Sequence, residues 1–258
     1  MLDTDVRRLQ QAKNLLENPG LASKITAYIG MPVEKALDRL PQGWSVRIAA
    51  LVRNSLEKAL VLAVSTLSRE VGRAAPRDRV YRWATALSGG VGGAFGMAML
   101  PLELPVTTVI MLRAIADIAR CEGEDIRTIE GRLACLEVFA LGGKAEEGSA
   151  SETGYYAART LLAREVSLAA RHIAEKGLAK EGTPVLARLV AVIASRFSPM
   201  VAQKVAAAAV PVVGAAGGAW INIVFMNHYQ KMARAHFLVR RLERIYGRDE
   251  VQRQYVVL

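Results

Sequence analysis

Two side chains of this sequence lie in surroundings that suit an acid or a base. Glu103 is the one carboxylate in the apolar stretch "PLELP", where burial is expected to raise its pKa as general acid–base catalysis requires. His228 falls on an apolar helical stripe, where most histidines are hydrogen-bonded core groups. The favoured role for Glu103 is an ion pair with an arginine, or contact with free N–H groups of a helix that begins at Pro105. Glu103 and His228 remain candidates for catalysis, but the structural role is favoured for each.

Other polar residues share helix faces with apolar ones. Arg113 and Asp117 are four residues apart, which places them on one face and favours an ordinary ion pair. In the last long helix Asn222, Tyr229 and His236 form a second, more polar stripe. These five residues are the candidates for lining a polar pocket, as the alternative to plain packing.

The sequence lacks the residues that several kinds of site require. Cys121 and Cys135 are too few for a disulfide framework or a four-ligand zinc site, so no metal is predicted. No G-x-S-x-G or H-E-x-x-H pattern is present. The glycines at 90, 92 and 96 follow a helical segment instead of the strand that a dinucleotide loop needs, and "GGK" at 142–144 lacks the other P-loop residues. No cofactor is therefore predicted, and the sequence favours a non-enzymatic protein over an enzyme.

The elements that position these residues are all helical. Apolar residues recur at three- and four-residue steps, no alternating strand pattern of useful length occurs, and the segment 142–154 forms the clearest loop. A helix is expected over 126–141. The fold class predicted is all-α, a multi-helix bundle with two central Gly/Ala-rich helical hairpins, at 86–120 and 206–246.

Two uncharged runs, 83–102 and 205–230, carry these hairpins. About 20 apolar residues are enough to span a bilayer, but alanine and glycine contribute little transfer energy and prolines interrupt both runs. Small residues four apart let helix backbones approach closely. Closely packed core hairpins are therefore favoured, with membrane insertion left open as the alternative. The pairs with this spacing are Gly89/Gly93 and Gly92/Gly96.

The charge of +10 is unevenly placed, with its excess in residues 1–82 and 228–258. On the last long helix four basic residues gather on one side, which suits anionic lipid headgroups. Nucleic acid is an unlikely partner because no helix-turn-helix or aromatic-basic pattern occurs. The predicted partners are an anionic membrane surface or a membrane protein, with a lipid or hydrophobic ligand as a further possibility. The four basic residues are Lys231, Arg234, Arg241 and Arg248.

The start of the chain is acidic and then amphipathic, without the apolar segment of a secretory signal. We expect a cytoplasmic protein, peripheral at the inner face of the cell membrane. One domain over 1–258 is predicted, with amphipathic basic helices in 1–80 and a core in 81–247.

Four sequence blocks within about residues 80–247 resemble the EcsC family: "LPLELPVTTVIMLRAIADIARCEGED", "RLACLEVFALGG", "TGYYAAR" and "PVVGAAGGAWINIVFMNHYQKMARAHFLVRRLERIYG". The family is named after a bacterial protein encoded beside an ATP-binding cassette transporter. The resemblance implies a bacterial, helical, cytoplasmic or membrane-associated protein and transfers no catalytic residue.

The predicted function is thus a non-enzymatic accessory or binding protein at the cytoplasmic face of a membrane, with a link to a transporter implied by the resemblance alone. The alternative is a hydrolase-like enzyme of unassigned type with a pocket near Glu103 and His228.

Overall fold

A computed structural model describes residues 1–18, 20–67, 76–142, 154–178, 183–209 and 214–258, with the backbone alone at 91–97 and 214–215. Over these ranges the chain forms eleven α-helices and no strand, which confirms the all-α prediction. The helices are α1 Asp3–Glu17, α2 Leu21–Ile29, α3 Val33–Leu37, α4 Trp44–Thr66, α5 Asp78–Phe95, α6 Leu100–Cys121, α7 Ile129–Leu141, α8 Gly154–Lys176, α9 Pro184–Ala208, α10 Gly214–Tyr246 and α11 Arg248–Val257.

Helix α10, the longest, is the axis of the bundle and packs most extensively on α5. The two helices are antiparallel, since Gly89 of α5 lies against Gly218 while Asp78 lies against Arg234. A Cβ atom at Gly89 would lie 2.5 Å from the carbonyl oxygen of Gly218, so this approach requires glycine. Both predicted central segments are therefore in the bundle core: 86–120 is the hairpin of α5 and α6, and 206–246 lies mostly on the single helix α10. Gly92, Gly93 and Gly96 lie outside the residues whose side chains are described.

The prediction that Pro105 opens a helix is wrong. A 3₁₀ turn, Gly96–Met99, leads into α6 at Leu100, and Pro101 takes the early position where a missing N–H costs nothing. Pro105 lies one turn further in, buried. The helix expected over 126–141 begins instead at Ile129, because Thr128 caps it by accepting a hydrogen bond from Gly131 N at 3.0 Å.

One hydrophobic cluster runs from Leu9 in α1 to Tyr255 in α11. Its centre is aromatic, with Phe139, Phe197 and Tyr229 in mutual ring contact. Helix α7 is buried on all sides from Gly131 to Leu141. Because this part of α7 has no solvent face, the charged side chains of Arg132 and Glu137 lie in the core.

Within the described ranges, one helix is long and apolar enough to cross a membrane by length and composition, Pro184–Ala208. Of its most apolar window 44% is buried inside the protein, and buried core helices of soluble proteins pass the same criterion. The uncharged runs 83–102 and 205–230 lie mainly on other helices.

Candidate functional site

The hairpin of α5 and α6 exposes large apolar side chains to solvent. Residues four apart on each helix share a face, and the Ser88 and Thr107 hydroxyls, 3.4 Å apart, hold the two helices in register. Contiguous exposed apolar patches on soluble proteins usually mark an interaction site. We call these four residues the hairpin surface: Trp83 (71% exposed), Leu87 (72%), Leu102 (66%) and Val106 (51%).

A polar cluster lies beneath the hairpin surface. Glu103 Oε1 accepts hydrogen bonds from Lys204 Nζ at 2.6 Å, Asn222 Nδ2 at 2.9 Å and Thr107 Oγ1 at 3.4 Å. The Lys204 ammonium also lies over the Phe225 ring, 5.7 Å from its centroid. This Glu103 cluster joins α6, α9 and α10.

The structure corrects the expected titration of Glu103. Burial, the largest single effect, raises its pKa, but the Lys204 charge and the three donated hydrogen bonds together bring the pKa below the usual value. Glu103 is therefore an ionised carboxylate held by a lysine, and the expected arginine partner is replaced by Lys204.

Asn222 completes the Glu103 cluster from α10. Its Nδ2 also donates to the Thr85 carbonyl at 3.0 Å, whereas its buried Oδ1 has no hydrogen-bond partner among the described residues. The close contact with Gly89 fixes the side chain in this position.

A second polar cluster lies further along α10. His236 Nδ1 and the Tyr155 hydroxyl are 2.9 Å apart, and His236 Nε2 lies 3.9 Å from Glu137 Oε2. In the described part of the chain, Nε2 has no hydrogen-bond partner. We call Glu137, Tyr155 and His236 the His236 cluster.

Burial dominates the titration of the His236 cluster. It raises the pKa of Glu137 to about 7, although the charges of Arg240 and Arg159 act in the opposite direction. Burial also lowers the pKa of His236 well below its ordinary value, and the same two arginines add to that effect. At neutral pH the histidine is uncharged and the glutamate is partly protonated, so the two do not form a full ion pair.

Ion pairs surround this cluster on the outside. Arg159 binds Glu243 through both guanidinium nitrogens, at 2.7 and 2.9 Å. Arg240 and Arg244 both bind Glu124. Four of these side chains line a shallow depression of about 240 Å³: Glu124, Arg240, Glu243 and Arg244.

The basic side predicted on α10 is partly neutralised. Arg234 pairs with Asp78, and Arg241 Nη1 lies 2.7 Å from Glu122 Oε2. Lys231 and Arg248 are exposed. Periodicity placed the four residues on one side of the last long helix, but Arg248 lies beyond the end of α10 and begins α11. The acids that reach Arg234 and Arg241 come from other elements.

The polar-pocket candidates do not line one pocket. Asn222 and His236 are 14 residues apart on α10, about 21 Å along its axis, and belong to different clusters. Asp117 accepts from Tyr81 Oη at 3.0 Å and pairs with Arg120, and Arg113 lies half-buried one turn before it on α6.

His228 and Tyr229 lie between the two clusters. His228 Nε2 is 2.9 Å from the Gly142 carbonyl oxygen, which can only accept, so Nε2 carries the proton. The Tyr229 hydroxyl is buried with no hydrogen-bond partner in the described ranges, and burial raises its pKa. The His228 hydrogen bond and the burial of Tyr229 both suit packing in the core.

Two functional features were missed in the sequence. Glu137 is the single acid in "RLACLEVFALGG", which is the same signal that singled out Glu103. Trp83 and Leu87 follow two arginines in "RVYRWATAL", and their four-residue spacing predicts a common face.

An apolar groove of about 630 Å³ between α4 and α9 is lined by Leu60, Val61, Leu186 and Val190, among others. Nowhere in the described ranges do three His, Cys, Asp or Glu side chains group closely enough to hold a metal ion.

Comparison with known proteins gives one match. The model of the EcsC protein family matches residues 4–242, so the similarity begins about 75 residues earlier than the sequence blocks indicated. No curated protein and no solved structure matches the chain.

Proposed function

The chain belongs to the EcsC protein family, and we propose that it is a non-enzymatic accessory or binding protein that attaches to the cytoplasmic face of a membrane. The hairpin surface is the observation that carries this proposal. Trp83, Leu87, Leu102 and Val106 leave apolar area in water that no other described part of the chain covers.

Energetic magnitudes favour apolar contact as the main source of affinity. Burying a whole Leu or Val side chain is worth about 1.5–3 kcal/mol, so four side chains exposed by half or more offer roughly 4–8 kcal/mol. One Lys or Arg near an anionic surface offers about 1 kcal/mol. Electrostatic attraction thus guides the approach, and the hairpin surface supplies most of the binding.

The basic residues nearest the hairpin surface lie on α5 and not on α10. Arg79 and Arg82 precede Trp83 on α5, and neither guanidinium forms an ion pair within the described ranges. Arg234 and Arg241 already have carboxylate partners. Lys231 and Arg248 remain candidates for lipid contact.

A membrane-protein partner such as a transporter is the finer version of this proposal. It rests on the resemblance to a protein encoded beside a transporter, and the hairpin surface fits an apolar protein face as well as a lipid surface. Association with protein-free vesicles distinguishes the two, since a surface specific for a transporter does not bind lipid alone.

The test is co-sedimentation with vesicles of phosphatidylcholine alone or with 30% phosphatidylglycerol, at about 50 and 500 mM salt, between which the Debye length falls several-fold. We expect binding to the anionic vesicles that weakens with salt, and a large loss of binding for the double variant Leu87→Gln/Leu102→Gln.

The matched control is Leu161→Gln, because Leu161 on α8 is 65% exposed and lies outside the hairpin surface. Its binding should equal that of the wild type. Absence of binding to either vesicle, or equal loss in the control, contradicts the proposal. Glu103→Gln and His228→Ala, the variants that the enzyme alternative singles out, should leave binding largely intact.

A further inference from the structure

The His236 cluster contains an acid and a base that face each other in the core. His236 Nε2 lies 3.9 Å from Glu137 Oε2, and the two side chains are 0% and 8% exposed. The other ring nitrogen, Nδ1, is 2.9 Å from the Tyr155 hydroxyl, which reaches it from the start of α8. Glu137 itself lies on the part of α7 that is buried on all sides. The pair is thus enclosed by three helices.

The other ionisable groups around this pair have partners of their own. Each guanidinium group here binds a carboxylate, so no arginine is left to form a direct ion pair with Glu137. Burial also raises the pKa of the surrounding phenol and thiol groups, which therefore stay uncharged at neutral pH. The contacts are Arg159 and Tyr156 of α8 with Glu243, Arg240 and Arg244 with Glu124, Tyr255 of α11 with Glu17 of α1, and Cys135 Sγ with the Gly131 carbonyl oxygen.

The start of α8, residues 154–159, separates the pair from water. Its Tyr155 covers Nδ1 of His236, and its Arg159 binds Glu243 of α10 through both guanidinium nitrogens. Helix α8 has a face in water, where Leu161 is 65% exposed, whereas the part of α7 that carries the acid has none. Segments with a solvent face open at a lower free-energy cost than the core. Local opening at the start of α8 is therefore the event that brings water to the pair.

We infer that Glu137 and His236 exchange one proton when the start of α8 opens. While α8 is docked, the core contains a carboxylic acid and a neutral imidazole. When water reaches the pair, the carboxyl group releases its proton and the imidazole takes one up. The opened cluster then contains a carboxylate and an imidazolium, and the number of bound protons is unchanged.

The two states follow from the surroundings of the same two groups. In the core, taking a carboxylate or an imidazolium out of water costs several kcal/mol, which favours the uncharged pair. In water the ordinary pKa values of about 4.3 for glutamate and 6.5 for histidine make both groups charged between those values. The charges of Arg159 and Arg240 disfavour an imidazolium in the closed cluster further.

The exchange cancels two opposite dependences on pH. The closed cluster raises the pKa of Glu137 from 4.5 to about 7, so acid favours the closed state through this group. The pKa of His236 is lowered in the closed cluster, so acid favours the open state below the ordinary 6.5. Between about pH 5 and 6.5 the two contributions offset each other, and the opening of α8 becomes nearly independent of pH.

The experiment measures opening by hydrogen–deuterium exchange of the amides in residues 155–162, at pH 5 and pH 6.5. Four proteins are compared: the wild type, Glu137→Gln, His236→Gln and the double variant. The double variant lacks both titratable groups, so dividing each exchange rate by its rate at the same pH removes every other pH effect.

We expect the normalised rate of the wild type to change less than about twofold between the two pH values. That of Glu137→Gln should be about tenfold faster at pH 5, and that of His236→Gln about tenfold slower at pH 5. Single variants whose normalised rates do not change with pH overturn the inference. A wild type that follows either single variant also overturns it, because one group alone would then titrate.

Infrared spectroscopy of the folded wild type tests the closed state without relying on the variants. At pH 6 we expect the carbonyl band of a protonated carboxylic acid, and the band should disappear as the pH rises through about 7. Glu137→Gln should lack this band. A wild-type spectrum at pH 6 without it shows that Glu137 is ionised in the core and overturns the proton exchange.

Discussion

A buried carboxylate packs near each end of α10, and the two carboxylates differ in their partners and in their pKa values. Near the start of α10, Glu103 receives three donors, one of them an ammonium group. Near its other end arginines and glutamates pair on the surface, whereas Glu137 inside lies 3.9 Å from His236 Nε2. The two carboxylate side chains are similarly buried, 12% and 8% exposed.

Their pKa values nevertheless shift in opposite directions, downward for Glu103 and upward to about 7 for Glu137. Burial raises both, so the difference comes from the donors that each carboxylate receives. Glu103 therefore stays ionised in the core, beside the Lys204 ammonium group. A surface in water tolerates a carboxyl group that gains and loses its proton near neutral pH.

The largest effect is expected from breaking the Glu103 cluster. Lys204→Met leaves Glu103 buried without its counter-charge, and removing one partner of a buried pair costs about 3–5 kcal/mol. Urea unfolding measures this loss. The matched control is Arg253→Met, since Arg253 pairs with Glu250 on the surface and such a pair is worth at most about 1 kcal/mol. Equal losses in the two variants would show that Glu103 is not held as described.

The second-largest effect is expected in the pH dependence of the unfolding free energy, through Glu137. Its folded pKa of about 7 exceeds the ordinary 4.5, so the folded state binds the proton more tightly and stability falls as pH rises from about 4.5 to about 7. Glu137→Gln removes this loss, worth about 3 kcal/mol at pH 8. Urea unfolding at pH 5 and pH 8 should show a larger gain for the variant at pH 8.

His236 contributes with the opposite sign and serves as a check. Its folded pKa is depressed, so its contribution to stability is lost as pH falls below the ordinary 6.5. Because His236 is present in both proteins, this loss largely cancels in the comparison of wild type with Glu137→Gln. A difference between the two proteins that does not change with pH would contradict the raised pKa of Glu137.

A smaller effect is expected where α5 meets α10. Gly89→Ala places a methyl group 2.5 Å from the Gly218 carbonyl oxygen, and such overpacking costs about 1–3 kcal/mol, partly offset by the better helix propensity of alanine. Gly43→Ala is the reference, because nothing lies within 4 Å of its Cβ position and its cost comes from the positive φ of 81° alone. Thermal unfolding of both variants measures the difference. A stabilised Gly89→Ala protein would argue against the close helix approach.

The smallest effect is expected in vesicle binding, where loss of Arg82 on α5 is compared with loss of Arg241 on α10. Arg82→Gln should weaken binding to anionic vesicles several-fold, as expected for about 1 kcal/mol per basic residue at the headgroups. Arg241→Gln removes the same charge, but that guanidinium lies beside Glu122 and away from the hairpin surface. It should change the affinity less. A larger loss for Arg241→Gln would return the binding face to the far part of α10.

Local signals in the sequence predicted the helices, and long-range packing decided the sites. The period of apolar residues was enough for the all-α fold, and Gly89 lies where α5 approaches α10 closely. Apolar neighbours identified Glu103, but its partners Lys204 and Asn222 are 101 and 119 residues away in the chain. No local pattern shows such a pairing, so the direction of its pKa shift was predicted wrongly.

The same limit applies to the basic side of α10. A helical period of 3.6 placed Arg234 and Arg241 on one side, yet the acids that neutralise them belong to α5 and to the turn after α6. Exposure of the hairpin surface likewise depends on which faces of α5 and α6 the other helices cover. Sequence periodicity shows that a face exists and leaves its partner undetermined.

The central claim is that the hairpin surface is the part of the molecule that meets the membrane, and hydroxyl-radical footprinting tests it most directly. Oxidation of exposed side chains is compared for the free protein and for the protein on anionic vesicles. We predict protection of Trp83, Leu87 and Leu102, with Leu161 and Ile245, equally exposed in the free protein, oxidised as before. Protection of Ile245 at the far part of α10, with Trp83 and Leu102 unchanged, would contradict the account.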